Sequence, residues 1–286
     1  VEGERIILSN SKIKVLLQCP RKYKYRYIDK IETEIPRVVI DGMNIHLAFK
    51  HFFNIIDPKL LLKDKTFEQF RDYFHTSLFN NSPKVPNDRY LRAFWNFSTI
   101  EAQMLLSCKK HFSSKKDILE HFYPHSTEVY LKSEEDSLSG IIDRRDLFFP
   151  SEDSRELVII DYKPKPPKPR DIKGKLTYSL SSEFRRQCTY YKILSEKQLP
   201  SYKVVKMIGV FYLSGKVIAE DFKKATLKAA LKARDKCLKI IEEGEFLPVI
   251  NNECLSTPYF SGCEYYHICR KTWPKESLIK LKRGEK

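Results

Sequence analysis

The run "VIIDYK" at residues 158–163 ends an apolar stretch in an aspartate, a tyrosine and a lysine. Side chains alternate between the faces of a strand, so Asp161 and Lys163 point the same way while Tyr162 points to the other side. A metal ligand therefore stands beside a cation. Asp143 lies in the preceding strand-like run, and a hairpin through residues 149–156 would bring it next to Asp161. Two such carboxylates repel each other unless a divalent cation neutralises them. Magnesium and manganese prefer oxygen ligands, retain waters and bind phosphate oxygens, so this constellation suits hydrolysis of a phosphodiester. Lys163 could orient water or stabilise negative charge building on phosphorus. A surface ion pair across two strands is the plainer reading of an isolated Asp-x-Lys, and exposed pairs of that kind are weak.

Other residues carry chemistry only in company. Gln187 and Tyr191 are four apart, hence neighbours on one helix face, and could both reach a nucleotide or the lysine; an amphipathic helix needs no such role for them. His46 offers a competent transition-metal ligand, although a lone helical histidine is as readily a packing residue. Seven cysteines are present, an odd and scattered set that argues against a disulfide framework. Cys108, Cys188 and Cys237 fall inside helix-like patterns where buried thiols are ordinary. Cys19, Cys254, Cys263 and Cys269 remain, and four thiolates suit either an iron–sulfur cluster or structural zinc.

The elements that must position these residues are legible in outline. With 286 residues and 42% hydrophobic content, the chain can bury a core as one elaborated domain or two small ones. "SNSKIKVLLQ" predicts a capped helix with Ile13, Leu16 and Leu17 inward, and Pro20 opens a second short helix in which "RKYKYRY" alternates cations with tyrosines. Such a stretch fits a single-strand binding surface or a helix with buried tyrosines. "DGMNIHLAFKHFFNII" predicts a helix from about Asp41, with Ile45, Leu47, Ala48, Phe52 and Ile55 packing. Residues 60–115 read as helical and show no chemistry. "TEVYLK", "LSGIIDRRDLFF" and "ELVIIDYK" predict an antiparallel meander, followed by a helix at "SSEFRRQCTYYKILSEK", a strand pair turning at Ser214-Gly215, and a helix over 222–243 stopped by Gly244.

Composition narrows the partner. Fifty-two Lys and Arg against 37 Asp and Glu give a net charge of +15, which favours a polyanion such as nucleic acid. No run of about 18 apolar residues occurs and the N-terminus lacks the apolar core of a signal peptide, so the expectation is a cytoplasmic protein that makes no use of a membrane.

Taken in order, these segments resemble the PD-(D/E)XK nucleases, specifically the RecB-like branch that includes the AddB nuclease domain and the CRISPR adaptation exonuclease. "DGMNIH" resembles the helix that carries a metal-binding histidine, here His46; "TEVYL" resembles the first core strand, with Glu128 at the acidic position. "LSGIIDRRD" resembles Gly-x-x-Asp-Arg, giving Asp143 as a ligand and Arg144 as a substrate contact, and "IIDYK" supplies Asp161 and Lys163. "RRQCTYY" resembles Gln-x-x-x-Tyr, carried by Gln187 and Tyr191. "CPRKYKYRY" and "GCEYYHIC" resemble the segments whose cysteines hold a [4Fe–4S] cluster in that branch. The chain departs from the pattern twice. "PKPPKPRDIKGK" replaces a small turn after the lysine, so that Lys165, Lys168, Arg170, Lys173 and Lys175 could track phosphates. Phe260 stands where a cysteine is usual, leaving Cys254 as the fourth ligand.

The resemblance implies an α/β fold with a mixed sheet, a restriction-endonuclease-like core, a helical insert and a cluster region joining the two ends. It divides the chain into an N-terminal helical segment (1–40), the histidine helix and insert (41–125), the nuclease core (126–243) and a cysteine-bearing tail (244–286). It implies an exonuclease dependent on Mg²⁺ or Mn²⁺ that acts on single-stranded DNA or duplex ends, with CRISPR integrase proteins or a helicase as partners. A stand-alone repair nuclease and a catalytically silent DNA-binding subunit are the alternatives.

Overall fold

The β-rich runs of the sequence form one main sheet, with helices supplied from both sides. The computed structural model describes residues 5–82, 87–148, 155–172, 175–251, 254 and 262–272. In chain order its elements are β1 (Leu8–Ser9), α1 (Asn10–Gln18), α2 (Pro20–Tyr23), a π-helical turn (Lys24–Ile28), α3 (Arg37–Ile55), α4 (Pro58–Leu61), α5 (Phe67–Asn80), α6 (Asp88–His111) and α7 (Lys115–Phe122). There follow β2 (Ser126–Ser133), β3 (Leu138–Leu147), β4 (Glu156–Lys163), β5 (Arg170–Ile172), β6 (Lys175–Thr177), α8 (Ser182–Gln198), β7 (Lys203–Phe211), β8 (Lys216–Asp221), α9 (Lys224–Glu243) and α10 (Tyr266–Cys269). The chain divides into two units, residues 36–227 and residues 1–35 with 228–286.

In the larger unit β2, β3 and β4 pair antiparallel, β7 pairs parallel with β4, and β8 pairs antiparallel with β7. The expected meander therefore covers β2–β4, and the crossover through α8 makes the sheet mixed. Strand β4 is central and buried on both faces, which is why Leu157–Ile160 is an unbroken apolar run rather than an alternating one. Val158, Ile160 and Tyr162 join a core with Phe49 and Phe52 of α3, Phe70 and Phe74 of α5, Phe94 and Phe97 of α6, and Phe122 of α7. Helix α8 packs against β3, β4 and β7. A Thr66–Gln69 capping box starts α5, and the Asn87 side chain caps α6. Helix α3 begins at Arg37, a turn earlier than the sequence suggests, and Leu47 is exposed rather than packed. The hairpin connection at 149–154 and Lys173 lie outside the described residues. Within the Lys-Pro segment, β5 and β6 form a short antiparallel ribbon that the sequence did not announce.

Arg144 lies away from any strand-binding position, and this corrects the expectation for it. Only 2% exposed, it donates through Nε to Asp146 (2.7 Å) and through one terminal nitrogen to Glu101 (2.6 Å) and the Tyr162 hydroxyl (3.4 Å). Its guanidinium lies 4.6 Å from the Phe53 ring centroid. Burial pushes the Glu101 carboxyl up against the pull of Arg144. Burial also opposes the charge of Arg144, but Asp146 and Glu101 outweigh it and hold the guanidinium charged. One residue after Asp143 on a strand, Arg144 points to the opposite face, where Glu101 of the helical insert meets it.

In the smaller unit Ser9 caps α1, accepting from the Lys12 amide, and Pro20 opens α2. Tyr23 stacks on Phe246 and Tyr25 packs against Tyr265, both tyrosines being buried. Lys22 pairs with Glu264, and Arg21 donates to the Phe246 carbonyl. These two tyrosines of "RKYKYRY" thus serve packing and are not exposed for base stacking. Cys108, Cys188 and Cys237 are buried, as the helical patterns suggested.

Replacing Arg144 by methionine would strand Glu101 and Asp146 in the core. Denaturant unfolding is expected to show a loss of about 3–5 kcal/mol. An unchanged midpoint combined with lost substrate binding would return Arg144 to the substrate.

Candidate active site

Helix α3 turns Ile45, Ala48, Phe49 and Phe52 into the core, which leaves His46 at the border of that face. Its ring meets Tyr162 and Tyr212 edge-on, with centroids 5.8 and 6.2 Å away. Nδ1 of His46 lies 3.5 Å from Asp143 Oδ2 and 4.0 Å from Glu128 Oε1. Ligand atoms of the three side chains fall within 4.8 Å of one another. Glu128 adopts φ +49° in the middle of β2, a left-handed conformation costing an L-residue about 1–2 kcal/mol. Such strain persists where the surroundings over-determine it, here at the carboxylate that faces His46 and Asp143.

The β3–β4 register that pairs Arg144 with Ile160 carries Asp143 to the position opposite Asp161. Asp143 Oδ2 accepts from the Tyr162 amide at 2.8 Å. Asp161 is wholly buried; its Oδ1 accepts from Gln187 Nε2 at 2.8 Å, and its Oδ2 lies 2.5 Å from Lys163 Nζ. Gln187 also donates to the Tyr191 hydroxyl at 2.8 Å, so one turn of α8 fixes the orientation of the Asp161 carboxylate. Gly140 explains the glycine of the Gly-x-x-Asp spacing: a Cβ there would come within 2.7 Å of the Tyr191 ring.

Electrostatics mark this cluster as under tension. Burial pushes Asp161 up to about 6 against the pull of Lys163, and the nearby Asp143 adds to the rise. Burial and Asp143 raise Glu128. Burial works against an ionised Asp143 too, but the hydrogen bond and charge of His46, together with Lys163, hold it below the usual carboxylate range. His46 is raised: burial would lower it, and the bond to Asp143 and the charges of Asp143 and Asp161 prevail. Burial likewise opposes charge on Lys163, and Asp161 and Asp143 overcome it, leaving a firm ammonium. One imidazole nitrogen and two carboxylates, with a third carboxylate on the adjoining strand, form a donor set that fits Mg²⁺ or Mn²⁺.

The structure thus brings together Glu128, Asp143, Asp161, Lys163, His46, Gln187 and Tyr191. Lys165 is exposed and lines a cavity beside Lys163, and Lys168 is exposed farther along the same loop. Arg170 opens β5, and its side chain lies outside the described residues, as does that of Lys175. Two cations escaped the sequence reading. Lys50 lines the cleft one turn after His46, a spacing that could have revealed it; Arg89 enters it from the helical insert, which no spacing announces.

A family model described as the PD-(D/E)XK nuclease superfamily matches residues 7–270. The chain belongs to the PD-(D/E)XK nuclease superfamily. Its fold is accordingly the mixed α/β fold of these nucleases. Among solved structures it is similar to a protein named "Putative exonuclease" from Eubacterium rectale, at 14% identity and a TM-score of 0.44, over 96% of this chain and 90% of that one. The comparison with curated proteins returns no match.

In the smaller unit of this nuclease, Cys19, Cys254, Cys263 and Cys269 line a single cavity with Tyr25, Val249 and Tyr265. Cys254 and Cys263 are also linked by the backbone, the Cys263 amide donating to the Cys254 carbonyl at 3.4 Å. The loop at 255–261 lies outside the described residues.

Because His46 holds its proton above the ordinary imidazole range, a cation must displace that proton. Mn²⁺ affinity is expected to rise as the pH climbs through and above the ordinary imidazole range, with proton release seen by calorimetry in buffers of different ionisation enthalpy. His46→Gln is expected to bind more weakly and to lose that pH dependence; a pH-independent wild-type affinity would exclude His46 from the site.

Proposed function

We propose that this chain is a divalent-metal-dependent deoxyribonuclease of the RecB-like branch, an exonuclease acting on single strands or DNA ends. The observation that carries this reading is the convergence of His46, Glu128 and Asp143 within 4.8 Å beside the buried Asp161–Lys163 pair. The net charge of +15 fits a polyanionic substrate. End processing in CRISPR adaptation, with integrase partners, is the setting implied by the resemblance of the ordered motifs. Stand-alone DNA repair uses the same chemistry.

His46, Glu128, Asp143 and Asp161 would hold the cation, which when bound supplies charge neutralisation at the phosphate and an acidified water. Lys163, kept protonated by Asp161 and Asp143, would donate to a non-bridging phosphate oxygen and stabilise the charge that grows there. Gln187 holds the Asp161 carboxylate from the side away from Lys163, and Tyr191 holds Gln187. The Tyr162 amide fixes Asp143. The catalytic carboxylates are thus preorganised by backbone and helix contacts rather than by long flexible side chains.

Four cysteines lining one cavity fit a [4Fe–4S] cluster as the second cofactor, the group that the resemblance implies, with structural zinc as the alternative. Its role would be structural, closing the N-terminal segment onto the tail within the smaller unit. Anaerobically purified protein is expected to absorb near 400 nm and to carry iron and sulfide, both lost in Cys263→Ala. Zinc without iron would contradict this.

End-labelled single-stranded and duplex DNA incubated with Mn²⁺ or Mg²⁺ tests the activity. Metal-dependent degradation by the wild type is expected, with Asp161→Asn and Lys163→Gln each slower by about a hundredfold or more. Binding without cleavage by the wild type would leave a DNA-binding subunit as the account.

A further inference from the structure

Two cavities flank the Asp-x-Lys end of β4 in the larger unit. One, of about 640 Å³, opens over His46, Glu128 and Lys50 and has apolar walls from Val39, Met43, Leu47 and Ile141. The other, of about 700 Å³, is walled by Pro166, Pro167, Phe184 and Gln187, with Lys165 at its side. Val38, Arg89, Lys163 and Pro164 line both, so these four residues form the ridge between them. Each volume lies in the range of about 300–1,000 Å³ in which small-molecule sites fall.

Arg89 is the unexplained residue on that ridge. It donates to the Tyr212 hydroxyl, a neutral partner, while its Nε is buried without a hydrogen-bond partner. Among the described residues no carboxylate forms an ion pair with it. A guanidinium that is always charged and partly desolvated should not be left half-satisfied unless an anion completes it. The cleft around it is rich in carboxylates, with Glu128 in one cavity and Glu183 in the other, so a polyanion entering there needs fixed cations.

We propose that Arg89 binds the phosphate that joins two consecutive nucleotides of the substrate strand, one nucleotide occupying each cavity. This rests on the nuclease reading and adds to it a residue from the helical insert. Apolar walls on both sides receive bases, and Arg89 on the ridge between them receives the linking phosphate. Arg89 is a substrate-positioning residue, fixing the strand's register against the carboxylates, while Lys163 faces the reacting centre.

The test is binding of a fluorescent single-stranded oligonucleotide, with Ca²⁺ in place of Mn²⁺, to wild type, Arg89→Ala and Arg89→Lys over a salt series. Arg89→Ala is expected to weaken binding about tenfold or more and to reduce the slope of log affinity against log salt by about 0.7, the value for one phosphate on a single strand. Arg89→Lys is expected to restore the slope while keeping a raised KM for cleavage, because a point charge does not replace the guanidinium fork. A methylphosphonate scan of the oligonucleotide is expected to find one linkage that weakens the wild type and leaves Arg89→Ala unaffected. Thermal melting of each variant separates loss of contact from loss of fold. If the wild type binds and cuts while Arg89→Ala matches it in affinity and salt slope, the Arg89 proposal is overturned and the nuclease reading stands. If the wild type neither binds nor cuts, both fall.

Discussion

Glu128, Asp143 and Asp161 are forced into one corner of a protein interior, and the rest of the larger unit is arranged around the cost of that repulsion. Asp161 is wholly buried and driven towards its neutral form by desolvation, while Asp143 stays ionised beside His46. The protein offsets part of the repulsion with its own groups: the Lys163 ammonium, the Gln187 amide, the Tyr162 peptide and the His46 imidazole, whose affinity for a proton the carboxylates raise. A divalent cation held there would offset the remainder. The carboxylate cluster is therefore a destabilised region that a bound cation would relieve, as the proposed metal dependence requires.

Keeping such a site in place requires a stiff frame. Strand β4, buried on both faces, supplies it, and its last residues serve two layers at once. Tyr162 enters the aromatic core of α3 and α6, stacking edge-on with Phe49, while its neighbours Asp161 and Lys163 turn to the cleft. The same alternation on β3 divides Asp143 from Arg144. Arg144 neutralises Glu101 and Asp146 and so couples the helical insert to the sheet, a structural use of the arginine that follows Asp143. The strained φ of Glu128 and the missing Cβ at Gly140 are further points at which local cost serves the arrangement of the carboxylates.

Much of this was legible in the sequence, for identifiable reasons. Period-two alternation and the apolar run of β4 gave the strands, and the spacing of Asp161, Lys163, Gln187 and Tyr191 gave side chains that do meet, because strand and helix periodicities are local properties. The parallel pairing of β7 was not legible, since it depends on a crossover rather than on any local pattern. Arg144 was misplaced because a motif records adjacency along the chain and not which face a side chain takes. Arg89 was missed because its place beside His46 is created by the packing of α6, 43 residues away in sequence from that histidine. The tyrosines at 23 and 25 read equally well as packing or as stacking surfaces, and only burial separates the two.

The central claim is that clustered carboxylates destabilise the fold until a cation neutralises them, and thermal melting addresses it most directly. Chelated wild type and Glu128→Gln would be compared, each with and without saturating Mn²⁺. The expected result is a higher melting temperature for metal-free Glu128→Gln than for metal-free wild type, with Mn²⁺ raising the wild type by several degrees, as about 2–3 kcal/mol of binding energy would, and the variant much less. A wild type indifferent to Mn²⁺, or a variant that responds equally, would contradict the account.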